Sequence, residues 1–205
     1  MKRHVLATLS VLAMTLLAGC SSAPSRPAEY MPPRLDLAQY RVLGIAELAS
    51  PNSSKLGAEA TQELLAAIHD AQPGTPVLEL GPQPKLDPAA VRTLAAREKV
   101  DAIWVGEVTE AASKPRLSVD ALYAAGAIAS ERKAKLSVRL LDGATGATVW
   151  SAWSERTIPV VTASGSLRDG LSQLNTHPAD EARAILVRDL VNDVTVDLRP
   201  RWVTR

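Results

Sequence analysis

Phenylalanine is absent from this 205-residue chain, tyrosine and tryptophan together supply seven residues, and cysteine occurs once. Without phenylalanine, a core has to be built from Leu, Val, Ile and Ala, with Trp104, Trp150 and Trp153 as its few large pieces. That favours close packing of helices on a sheet. A lone cysteine excludes an internal disulfide. No sign of charge is in excess, since 23 Lys and Arg stand against 22 Asp and Glu. A surface that neutralises several phosphates needs a basic surplus or stripe, so no nucleic-acid partner is expected. Beyond residue 19 the only histidines are His69 and His177, 108 positions apart, with no free cysteine to join them, so no metal site is expected.

The motifs of common catalysts are missing as well. No G-x-S-x-G occurs, and Ser164-Gly165-Ser166 lacks the flanking pattern of a nucleophile elbow. Gly143 and Gly146 have neither the Walker lysine nor the dinucleotide fingerprint around them and read as a hairpin turn. Asp180 and Glu181 sit where the dipole of a following helix favours acids, which explains them without a catalytic carboxylate pair. The expectation is a non-enzymatic chain with no catalytic residues and no cofactor.

The amino terminus is more informative. Lys2 and Arg3 precede Val5 to Leu17, thirteen residues without a charge. That run is shorter than the roughly 20 residues a membrane-spanning helix needs and matches the apolar region of a signal peptide. It ends in Leu16-Leu17-Ala18-Gly19-Cys20, a lipoprotein box: cleavage between Gly19 and Cys20 would leave an acylated cysteine as the first mature residue. The lone thiol is thereby read as a membrane attachment point. Ser21 follows it, and resemblance to sorted lipoproteins of Gram-negative bacteria implies outer-membrane delivery, facing the periplasm, because the usual inner-membrane retention signal is aspartate at that position.

The remaining chain divides into a lipidated Pro/Ser-rich tether over 20–39, an α/β domain over 40–200 and a basic tail over 201–205. Pro24, Pro27, Pro32 and Pro33 keep the tether extended, with a reach of up to roughly 60 Å. Strands are predicted at Tyr40 to Leu48, Pro76 to Leu80, Val100 to Gly106, Lys135 to Leu141 and Thr148 to Ile158, with the apolar run at 100–106 covered on both faces. Helices are predicted after a cap at Ser53 or Ser54, from the Asp87-Pro88 start, and over Ala179 to about Leu198. Pro159 to Pro178 reads as a long loop, and 111–132 as an apolar, small-residue segment, either a helix or a strand pair. Together these give one α/β domain of three-layer type, a mixed β-sheet packed by helices. Candidate partner-binding residues are Leu117, Leu122 and Tyr123 in that segment, and Arg201 and Trp202 in the tail.

The ordered series of a strand around Val42 to Ala46, an Asp-Pro-capped helix, Val100-Asp101-Ala102-Ile103-Trp104-Val105-Gly106 and the Asp142-Gly143-Ala144-Thr145-Gly146 hairpin running to Trp150 resembles a periplasmic superfamily. Its members include the curli-secretion lipoprotein, the amino-terminal domain of TolB and the LpoB-like activators of peptidoglycan synthases. The resemblance covers about residues 40–158. It implies a binding module, activator or ring-forming part, with an envelope protein as partner and homo-oligomerisation left open. Two functions are therefore expected: an accessory lipoprotein for an envelope machine, serving peptidoglycan synthesis, polysaccharide export or secretion, or a periplasmic carrier of lipid or small apolar ligands.

Overall fold

The computed structural model describes residues 28–204 apart from 52, 85, 113–115, 121–124, 167–169 and 177–178. Gly19, Cys20, Leu122 and Tyr123 lie outside the described residues. The described chain forms two compact units, one of Pro32–Pro200 and one in which Ala28–Met31 pairs with Arg201–Thr204.

In the larger unit the described helices are α1 (Ser54–Ala71), α2 (Pro88–Glu98) and α3 (Ala179–Val194). Ser53 caps α1, its hydroxyl accepting from the Leu56 amide at 3.3 Å, and the stripe Leu56, Ala60, Leu64, Ala67 and Ile68 is buried. Asp87 caps α2, accepting from the Ala90 amide at 2.7 Å with Pro88 in the first turn. Both arrangements satisfy amides that the first helical turn leaves without partners. In α3, Ala182, Leu186, Val187, Leu190, Val191 and Val194 are buried.

Nine strands are described: β1 (Ala28–Met31), β2 (Leu43–Ile45), β3 (Val77–Glu79), β4 (Ala102–Ala112), β5 (Arg116–Asp120), β6 (Ala125–Asp142), β7 (Thr148–Ser166), β8 (Gly170–Thr176) and β9 (Arg201–Thr204). Seven form a mixed sheet in the order β3-β2-β4-β6-β7-β8, with β5 also paired to β6. β2 is parallel to β3 and to β4, and the remaining pairs are antiparallel. β4 therefore lies in the interior of the sheet, as the apolar run Ala102 to Val105 at its start predicts.

Alternation along β4 and β6 feeds two cores. Ala102, Trp104 and Val108 with Ala134, Leu136, Val138 and Leu140 pack in one cluster with α1 and α3 residues. Ile103 and Leu141 pack with Val91, Leu94 and Ala95 of α2 in the other. The result is the expected three-layer α/β arrangement. At the hairpin between β6 and β7, Gly146 adopts φ +74°, and a Cβ there would lie 2.4 Å from the Pro88 carbonyl oxygen. Glycine is thus required twice over, by the turn and by its closeness to the start of α2.

Two expectations need correction. Pro159 to Pro178 is not a loop: β7 continues to Ser166 and β8 pairs with it. The proline is tolerated because it stands beside a register shift at Ser130/Glu131, where an extra residue interrupts the ladder. For 111–132, left open as a helix or a strand pair, the described residues are strand, β5 pairing with β6 from Arg116↔Ala129 to Asp120↔Ala125. The distal part of the 20–39 tether is structured, with β1 at Ala28–Met31 and with Leu35 and Leu37 buried in the main core.

A residue without a motif secures that last segment. Gln72, just after α1, accepts from the Leu37 amide at 2.6 Å and donates to the carbonyls of Leu35 at 2.6 Å and Leu198 at 3.1 Å. One amide thus joins chain segments on either side of the domain to the end of α1. Gln72→Ala is expected to destabilise the domain by about 2 kcal/mol, because it leaves partly buried backbone groups unpaired. A urea midpoint unchanged from wild type would contradict this role.

Candidate binding surface on the open face of the sheet

Most charged groups of the domain are engaged in its architecture. Asp101 accepts from the Arg41 amide at 2.6 Å and lies 3.3 Å from the Arg41 guanidinium. These bonds hold its carboxyl below the usual aspartate range. Asp142 is lowered by the Thr145 hydroxyl and amide, which donate at 2.6 and 2.7 Å. Asp193 on α3 takes a two-pronged contact from Arg156 of β7, both bonds 2.7 Å, and is lowered by it. A carboxyl depressed on folding adds stability above its unfolded pKa, near 4, and loses it as pH falls through the lower folded value. Asp101→Asn is therefore expected to be less stable than wild type at pH 7, the gap closing as pH falls below about 4. Parallel acid-unfolding curves with a constant gap would contradict the assignment.

Three other charges have no such role. Glu47, Glu107 and Arg139 line an open cleft of about 710 Å³ on the α2 side of the sheet. Among the described residues their side chains form no hydrogen bond or ion pair. The cleft floor is β4 and β6, where Val105 pairs with Arg139 and Glu107 with Ser137. Its walls are the segments after β2 and after β3. Backbone bonds fix the first wall: the Ala49 amide donates to Gly106 at 2.9 Å and the Val108 amide to Ala49 at 2.8 Å. The Glu47 amide donates to Gly81 at 2.9 Å, joining the two walls. Behind them the buried Thr61 hydroxyl accepts from the Leu48 amide and donates to the Gly57 carbonyl, each at 2.8 Å.

The floor continues on to β7. Trp153 pairs with Ser137 across the ladder and is 68% exposed, with the Lys135 ammonium 5.4 Å from its ring centre. An exposed indole is a large rigid contact surface. Beside it, two carboxylates and a guanidinium without partners among the described residues offer charge and hydrogen bonds of both signs. Such a surface suits recognition of a polar partner. Among the described residues no group of His, Cys, Asp or Glu could hold a metal ion.

Three of the partner-binding residues expected from sequence are among those described. Leu117 is on β5, opposite Ile128, within the larger unit. Arg201 and Trp202 are on β9, opposite Met31 and Tyr30, in the other unit. The tail expected at 201–205 is thus a strand over its first four residues. His69 is exposed in the last turn of α1. Sequence reasoning missed Glu47, Glu107, Arg139 and the exposure of Trp153. The alternation of Leu136, Val138 and Leu140 against Ser137 and Arg139 was the available signal.

No protein-family model and no curated protein sequence matches this chain. Solved structures are similar to it. The PelC dodecamer from Paraburkholderia phytofirmans is 17% identical over 85% of this chain and 97% of that one, with TM-score 0.46. Lipoprotein GNA1162 from Neisseria meningitidis is 16% identical over 58% and 83%, with TM-score 0.31. The LpoB C-terminal domain from Salmonella enterica is 12% identical over 70% and 90%, with TM-score 0.33.

Proposed function

We propose that this chain is a non-enzymatic accessory lipoprotein, anchored to the outer membrane through Cys20 and facing the periplasm, that binds a protein component of a cell-envelope machine. The observation that carries this reading is the lipoprotein box ending in Cys20: it explains the only cysteine, its position and the apolar run before it together. The cleft and the Trp153 platform are the contact surface in this reading, since they offer unpaired charge beside exposed aromatic area on a rigid sheet. Glu47, Glu107 and Arg139 make the cleft a poor container for an apolar ligand, which favours the accessory role over a carrier. The machine serves peptidoglycan synthesis, polysaccharide export or secretion, and several copies acting together are compatible with it.

The test is affinity capture from solubilised envelopes with the lipidated protein, in parallel with a Trp153→Ala/Arg139→Glu variant. A recurrent envelope protein is expected with the first and its depletion with the second. Co-purifying lipid with no recurrent protein, or substrate turnover by the purified chain, would overturn the reading.

A further inference from the structure

The smaller unit pairs β1 with β9, from Ala28↔Thr204 to Met31↔Arg201. Its apolar side chains are exposed: Tyr30 at 52%, Met31 at 46% and Trp202 at 70%. Tyr30 and Trp202 meet edge to face with ring centres 5.3 Å apart. An isolated two-stranded ribbon is at best marginally stable in water, and this one exposes the very rings that would form its core.

The position of its first strand follows from the chain. Ala28 comes eight residues after Cys20, so a chain acylated there holds β1 within about 28 Å of the lipid. Tyrosine and tryptophan, each with an apolar ring and a polar edge, concentrate at the boundary between acyl chains and water. Residues 26–31 and 201–205 carry three arginines, Arg26, Arg201 and Arg205, against the single acid Glu29. That balance favours an anionic headgroup layer.

From these observations we infer that the β1–β9 ribbon lies at the lipid–water interface of the membrane holding Cys20, with Tyr30 and Trp202 seated among the headgroups as a second attachment beside the acyl chains. The inference rests on the lipid-anchored reading above. Membrane attachment of lipidated proteins is commonly strengthened by a second signal of this kind.

The test uses full-length lipidated protein in vesicles of phosphatidylethanolamine and phosphatidylglycerol, some carrying bromine near the headgroup end of the acyl chain. Fatty-acid label on Cys20 is measured on the same preparation. Brominated lipid should quench wild-type emission by a share set by one tryptophan in four. Trp202→Ala should remove that quenching while the chain stays vesicle-bound, and Tyr30→Ala should weaken it. Labelled, vesicle-bound protein whose quenching is the same in wild type and Trp202→Ala would overturn the ribbon's placement alone. A chain without label on Cys20 would overturn the anchor and, with it, the placement.

Discussion

Cys20→Ser is expected to abolish fatty-acid incorporation and to leave the precursor uncleaved or mislocalised. Acylation requires the thiol, and a serine oxygen at that position does not substitute for it in lipoprotein processing. The effect should be close to all-or-none, because buried methylenes contribute about 0.8 kcal/mol each and two interfacial rings do not make up for the loss of several acyl chains. Among the described residues no helix is long and apolar enough to cross a membrane. Metabolic labelling followed by fractionation reads the result, and label retained by the serine variant would remove the anchor from the proposal.

Trp104→Ala is expected to cost about 3–5 kcal/mol, a large share of the 5–15 kcal/mol that typically holds a domain of this kind together. Trp104 has no accessible surface and meets Trp150 edge to face at 5.2 Å. Its carbonyl accepts from the Ala46 amide at 2.9 Å, joining β4 to the chain after β2. Among the described residues the buried indole Nε1 has no hydrogen-bond partner, so Trp104→Phe should cost much less than alanine: it keeps most of the ring contact and removes that donor. Denaturant midpoints of the two variants check this ordering. Equal midpoints for alanine and wild type would place Trp104 outside the core.

The elements legible in the sequence were those whose side chains declare their surroundings. Ala102 to Val105 has apolar residues in succession because α2 covers one face and α1 with α3 the other. The α1 stripe and the Asp87-Pro88 cap follow from helical spacing and from the first-turn amides. β8 and the far half of β7 were not legible, because Ser, Thr and Gly dominate 162–166 and Pro159 argues against a strand. Their pairing comes from the length of β6, 18 residues, which offers β7 a partner well past the proline. The β1–β9 ribbon joins segments at opposite ends of the described chain, and no local pattern encodes such a pairing. The cleft was illegible for the same reason. Glu47, Glu107 and Arg139 are neighbours only after parallel and antiparallel pairing bring three segments together, and each alone reads as an ordinary solvated charge.

The most direct measurement is photo-crosslinking in living cells from a benzophenone side chain at position 153, compared with one at position 63 on the exposed side of α1. If the open sheet face holds the partner of an envelope-anchored lipoprotein, position 153 should give a discrete crosslink to an envelope protein that position 63 does not, and Arg139→Glu should abolish it. No crosslink from position 153, or the same crosslink from position 63, would contradict the proposed binding surface.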